Sequence, residues 1–242
     1  MKKVILPLVM ATSAFSMKSY AQVGISTTTP QKTLHVNGSL QVVNELNVGG
    51  NATTAGSAGT AGQLLASNGP GAAPSWQNFS GTGTAIVING KLIVAQEITA
   101  QMTADFTDGS GAPVAIGNLN NVIIDNQNLY TASATSNSFK VSADGVYQVT
   151  INGQLSTTNA SSPVLGVWDN TANSWIARVN DLFTASSGGL QTYTLITSVP
   201  MLASKTYSFR QTNTTASTTL KQLSSGSTGS GPVTQVSVKR LK

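Results

Sequence analysis

The segment FKVSADGVYQVTINGQL, residues 139–155, constrains this chain more than any other. Phe139 and Val141 alternate with polar residues, and Tyr147, Val149 and Ile151 do so again beyond Asp144-Gly145. A period of two places every second side chain on one face, which is the pattern of a half-buried strand and cannot form the stripe of an amphipathic helix. An Asp-Gly pair between two such runs predicts antiparallel strands joined by a tight turn.

The same grammar recurs through the second half of the chain. Ala85–Ile88 and Leu92–Val94 flank Asn89-Gly90. Val122–Ile124 follows, then Leu165 and Val167 before Asp169-Asn170, and Trp175–Val179. Tyr193 with Leu195, Tyr207 with Phe209, and Val236 with Val238 complete the series. Short strands separated by Gly, Asn, Asp and Ser turns predict an all-β sandwich or barrel over residues 84–242. Trp168 lies out of phase with Leu165 and Val167, so it is expected on the opposite face of its strand.

The N-terminus carries a different signal. Lys2 and Lys3 precede an apolar stretch from Val4 to Phe15, and Ser19 and Ala21 are small residues at the −3 and −1 positions of a cleavage site before Gln22. This predicts a signal peptide over 1–21 and a secreted or cell-surface protein. Cleavage between Ala21 and Gln22 removes Lys2, Lys3 and Lys18, so the formal charge falls from +5 to +2. No basic stripe remains for a nucleic acid, and no other run is long and apolar enough for a transmembrane helix. The chain has no cysteine, so an exported form gains nothing from disulfides, and subunit association is the expected compensation.

Between the signal and the strand-rich region lie two further segments. Residues 22–48 read as a short β stalk segment, in which Leu34 and Val36 alternate, then Leu40 and Val42, around Asn37-Gly38. That pair predicts a hairpin or turn, and strands so short need partners from other copies. Residues 49–83 are rich in Gly, Ala and Ser with Pro70 and Pro74, and read as a linker or extended stalk in which Leu64, Leu65, Trp76 and Phe79 are apolar islands.

Two resemblances follow from these residues. NVIIDNQNLY (121–130), SFKVSADGVYQVTINGQL (138–155), VLGVWDN (164–170), SVPMLASKTYSFRQ (198–211) and VTQVSVKRL (233–241) together resemble the complement C1q/TNF-like jelly-roll domain. The chain departs from that pattern at Ser204-Lys205 and at Gln235-Val236-Ser237. The resemblance implies a C-terminal jelly-roll β-sandwich, a homotrimer and, in some members, bound Ca2+. VGISTTTPQKTLHVNGSLQV (23–42) and AGTAGQLLASNGPGAAPSWQ (58–77) resemble stalk modules of bacterial surface and phage tail-fibre proteins, which again implies a trimer.

Catalytic chemistry finds little to build on. His35 is the single histidine and lies in the stalk strand, so no Ser-His-Asp triad or common zinc site is expected. GTGTAIVINGK (81–91) lacks the spacing, the Ser/Thr and the following helix of a phosphate loop, and reads better as an Asn-Gly hairpin. The eight acids are Glu45, Glu97, Asp105, Asp108, Asp125, Asp144, Asp169 and Asp181, and no spacing pairs them for glycoside hydrolysis or clusters them for Ca2+. Trp168 and Trp175 stand out as ligand or interface aromatics, able to stack on a sugar. The expectation is a non-enzymatic homotrimeric stalk-and-head protein without a cofactor, binding a glycan or a protein surface. The alternatives are a structural fibre or matrix subunit without a specific ligand, and a carbohydrate-active hydrolase on a β-sandwich.

Overall fold

The computed structural model describes residues 22–78, 81–108, 111–185 and 189–242. The chain forms two compact units, divided between Phe79 and Ser80. The signal-peptide reading over 1–21, Ala21 included, lies outside the described residues, as does Phe79. Among the described residues no helix is long and apolar enough to cross a membrane.

The second unit is a sandwich of two sheets built on eight strands. These are β1 (Glu97–Gln101), β2 (Asn137–Phe139), β3 (Gly145–Ser156), β4 (Val164–Asp169), β5 (Ser174–Asn180), β6 (Gln191–Met201), β7 (Tyr207–Thr212) and β8 (Gln235–Arg240). One sheet runs β1-β8-β3-β6 and the other β2-β7-β4-β5, all neighbours antiparallel. Apart from β4 and β5, which pair as a hairpin within one sheet, successive strands cross between the sheets in the paired Greek-key order of a jelly roll. Shorter strands extend the edges: Asn121–Asp125 pairs with β1, Tyr130–Ala132 with β2, and Thr218–Leu220 with the end of β3.

Strand β3 is the axis of the sandwich. It pairs with β6 from Gly145↔Met201 to Leu155↔Gln191, and with β8 from Tyr147↔Arg240 to Asn152↔Gln235. Its alternation sends Tyr147, Val149, Ile151 and Leu155 into the core, where they are fully buried with Val236 and Val238 of β8. The facing sheet contributes Phe139, Leu165, Val167, Tyr207 and Phe209. The Phe139 ring lies 5.1 Å from Phe209 and 5.6 Å from Tyr207, in the offset and tilted arrangements that aromatic quadrupoles favour. Gly153 occupies an inward position on β3. A Cβ there would meet Leu165 Cδ1 at 2.6 Å, so the glycine leaves room for a side chain of the opposite sheet.

Two sequence expectations are corrected. Asp144-Gly145 does not join a hairpin, because Phe139 pairs with Tyr207 in one sheet while Gly145 opens β3 in the other. The pair marks a crossing between sheets, and Asp144 Oδ1 accepts the Ala203 N–H at 2.8 Å. Alternation reports burial on one face but cannot say which sheet a strand joins. Asn37-Gly38 likewise joins no hairpin. Leu34–Val36 pairs in parallel with Val23–Ile25, and residues 40–42 are not in a ladder. By contrast, Asn89-Gly90 does form the turn between Ala85–Ile88 and Lys91–Val94, with φ of 50° and 74° as a type I′ turn requires.

In the first unit, Leu64–Ala66 pairs antiparallel with Ser75–Gln77, and the Trp76 indole N–H donates to the Ser57 carbonyl at 2.9 Å. The Gly/Ala/Ser-rich segment thus has local ladders of its own. Large apolar side chains nevertheless stay exposed along this unit, Leu40 at 68% and Val43 at 82% among them.

The junction of β2 with β7 depends on one side chain. The strands pair through Phe139↔Tyr207 only, and the buried Asn137 amide then stands in for backbone. Its Nδ2 donates to the carbonyls of Ile116 (2.9 Å) and Phe209 (2.8 Å), while its Oδ1 accepts the Phe209 N–H at 2.8 Å. Truncation leaves buried backbone groups without partners, at about 1–3 kcal/mol each. Asn137→Ala is expected to lower the unfolding free energy by roughly 2–4 kcal/mol in urea titrations followed by circular dichroism.

Candidate functional site

The outer face of the second sheet collects the polar and aromatic residues that the core rejects. On β7, Tyr207 and Phe209 point inward, so Ser208 and Arg210 take the other face. On β4, Leu165 and Val167 point inward, which turns Trp168 outward beside Ser208. Trp175 joins it through an irregularity in β5. Simple alternation would put Trp175 in phase with Ala177 and Val179, which pair with the core residues Val167 and Leu165. The register shifts between Val167 and Trp168, leaving Ile176 as an extra residue packed on the core, and sets Trp175 directly opposite Trp168. The two indoles meet edge to face, with centroids 5.1 Å apart. Gly166 permits this close approach of β5, since a Cβ there would fall 2.2 Å from the Ala177 carbonyl oxygen.

Arg210 lies across Trp168, its Cζ 5.0 Å from the ring centroid, a cation–π contact. Every nitrogen of the guanidinium is engaged. Nε donates to Ser208 Oγ (2.9 Å), Nη1 to the Pro113 carbonyl (3.0 Å) and Nη2 to Asn170 Oδ1 (2.8 Å). Ser208 Oγ donates to the same Asn170 oxygen at 2.8 Å. All these acceptors are neutral, and among the described residues no carboxylate forms an ion pair with Arg210. Burial lowers the Arg210 pKa, yet a guanidinium keeps its proton in proteins. The charge is therefore held in place without a counter-ion.

Beside this cation opens a cavity of about 410 Å³, lined by Ala115, Thr131, Ala132, Ser133, Ser136, Asn137, Ser138, Asn170, Ser208 and Arg210. The volume falls in the range of small-molecule sites. Eight of the ten lining residues carry a polar side chain and two are alanines, yet the surface they present is apolar nearly as much as polar. The tryptophans singled out in the sequence do not line it. Trp168 supports Arg210 from the side, and its own indole N–H is buried without a partner. Arg210, Ser208 and Asn170 lie in the segments 164–170 and 198–211, but nothing in those segments marked them as a site. The only hint was that β7 alternates Tyr-Ser-Phe-Arg, which places a cation on the face away from the core.

The turn that presents Asn170 is pinned by its neighbour. Asp169 is buried, and its Oδ1 accepts the N–H groups of Thr171 (2.9 Å) and Ala172 (2.8 Å). Lys205 Nζ donates to Oδ2 at 2.6 Å. Burial would raise the Asp169 pKa, but the bonds from Lys205, Ala172 and Thr171 outweigh it and hold the carboxyl below the ordinary value of 3.8.

The other acids are also engaged. Asp125 accepts the N–H groups of Leu129 and Tyr130, Asp105 pairs with Lys221, Glu97 with Lys239, and Asp181 accepts the Leu182 N–H. Among the described residues no three His, Cys, Asp or Glu side chains come together as a metal would need. His35 lies in the strand Leu34–Val36 of the first unit, where its Nδ1 accepts the Gln31 N–H at 3.2 Å.

No family model matches this chain, and no curated protein matches it. Solved structures do. The structure of Eiger TNF from S. frugiperda is similar over 61% of this chain and 92% of its own, with 11% identity and a TM-score of 0.41. The PRD1 vertex protein P5 is similar over 61% of this chain and 96% of its own, with 13% identity and a TM-score of 0.34.

A group whose folded pKa is depressed stabilises the fold above its unfolded pKa, and that contribution is lost as pH falls through the folded value. For Asp169 the window lies below pH 3.8. Asp169→Asn is expected to lower the melting temperature at pH 7 by roughly 3–6 °C. It should also flatten the fall of melting temperature between about pH 4 and pH 2, measured by differential scanning calorimetry across pH.

Proposed function

We propose that this protein is exported and assembles as a homotrimer, a non-enzymatic stalk-and-head protein that binds a ligand through its jelly-roll head at the cell surface or outside the cell. The observation that carries the assembly is the exposed apolar series of the first unit. Val23, Ile25, Leu34, Leu40, Val42, Val43, Leu46, Leu64 and Leu65 are all exposed there. A segment with this much apolar surface gains by burying it against identical copies, which also supply the missing ladder partners. The threefold number is supported by the resemblance of both the stalk and the head segments to trimeric families. Export rests on the charged start, apolar stretch and small residues at the cleavage position.

Binding is assigned to the head because its outer face holds a cavity of ligand size beside a fixed cation. A non-catalytic role fits the acids, which serve turns and lysines, and the single histidine, which serves a loop of the stalk.

Light scattering on residues 22–242 tests the assembly, with three times the chain mass expected. A monomer at micromolar concentration overturns the trimer. The double substitution Leu40→Asp, Val43→Asp is expected to shift the population towards monomer while the head keeps its far-ultraviolet circular dichroism.

A further inference from the structure

We propose that the outer-face cavity binds an acidic sugar, with the ligand's carboxylate on Arg210 and its hydroxyls on the serine and threonine rim. The inference rests on the reading of the head as a ligand-binding domain and names the chemistry of that ligand.

The charge comes first. Arg210 offers five N–H groups, and three are used on Ser208, Pro113 and Asn170. Among the described residues one N–H on each terminal nitrogen has no partner, and Arg210 lines the cavity. These contacts, with the Trp168 ring, hold the guanidinium in one orientation before any ligand arrives. A planar cation so placed suits a carboxylate, whose two oxygens match two donors. Burial that depresses the Arg210 pKa acts in the same direction, since an anion would recover the lost solvation.

The rim then selects among carboxylates. Thr131, Ser133, Ser136 and Ser138 present hydroxyls that both donate and accept. The Thr131 and Ser138 hydroxyls already face each other at 2.9 Å across the Tyr130–Ala132 and β2 pair. Such a wall suits a polyhydroxylated ring. Ala115 and Ala132 add apolar surface beside these hydroxyls, a mixture that suits the C–H and O–H groups of one sugar ring. Trp168 has the role of a positioning residue, since its face is covered by Arg210.

The test titrates the residue 22–242 protein with galacturonate and, separately, with galactose, which has the same ring stereochemistry without the charge. Binding is read by saturation-transfer NMR and tryptophan fluorescence, and a labelled sample is screened on a glycan array. Galacturonate is expected to bind at least tenfold more tightly than galactose. Arg210→Gln is expected to abolish that preference. Because Arg210 also ties Pro113 to Asn170, Ser136→Val serves as a second variant, narrowing the cavity while leaving every Arg210 contact in place. It should weaken galacturonate at least fivefold; because Ser136 Oγ also bonds Ser133 Oγ at 2.9 Å, the comparison is made at a temperature where circular dichroism shows the variant folded. Equal binding of both sugars overturns the inference and leaves the head a binder of neutral sugar, and a preference that survives Arg210→Gln overturns it by showing that the carboxylate does not sit on Arg210. No response to any acidic glycan, with retained binding to a protein surface, overturns it while sparing the binding reading. No binding of either kind overturns both.

Discussion

Strand β3 organises the second unit. It is flanked along nearly all of its length by β6 on one side and along Tyr147–Asn152 by β8 on the other, and its inward residues fill the centre of the core. Strands β6 and β8 lie far apart in sequence from each other, so β3 is where the long-range order of the sheet is set. A shift of one residue would exchange Tyr147, Val149 and Ile151 for Val146, Gln148 and Thr150, burying polar groups on the core side. The alternation therefore specifies the register as well as the strand. Gly153 completes the arrangement by admitting Leu165 from the facing sheet, which ties the position of β4 to that of β3.

The outer face follows from that inner one. Once Leu165, Val167, Tyr207 and Phe209 are committed to the core, Trp168, Ser208 and Arg210 have no other side to occupy. Their mutual contacts then depend on three local devices: the register shift that brings Trp175 opposite Trp168, the Asp169-pinned turn that aims Asn170, and the Asn137 amide that joins β2 to β7. The cavity lies where β2 and β7 meet this turn, so its walls are structural polar groups as much as binding groups. This explains why so many neutral hydroxyls and amides gather around one cation.

Most of the strands were legible in the sequence, because each announces itself by period-two alternation bounded by turn residues. Their pairing was less so. Asp144-Gly145 and Asn37-Gly38 carry the local chemistry of a hairpin, yet Phe139 and Gly145 pair in opposite sheets, Leu34–Val36 pairs with an earlier parallel strand, and residues 40–42 join no ladder. Turn chemistry is a property of two residues, whereas pairing is decided by burial over the whole sandwich. The site was legible only in part. Trp168 could be placed outward by phase alone, but Trp175 could not, since the β5 irregularity reverses its face. Arg210, Ser208 and Asn170 come together across two strands and a turn, and no spacing in the sequence announces such a meeting.

The two units share a logic: each presents something its own chain does not complete. In the first, ladders of three residues leave leucines and valines exposed, and apolar area of this kind is covered most economically by a copy of itself. In the second, a guanidinium is fixed by neutral acceptors and an aromatic face, and its charge is answered by no carboxylate among the described residues. The acids that could have answered it are spent on turns and lysines: Asp169 is the immediate neighbour of Asn170, which touches Arg210, yet its carboxylate faces Lys205. A structural arginine could have been neutralised by redirecting that carboxylate. Keeping Asp169 on the turn leaves Arg210 without a carboxylate among the described residues, beside a cavity rimmed with hydroxyls, and the proposal of an acidic ligand rests on that separation of charges.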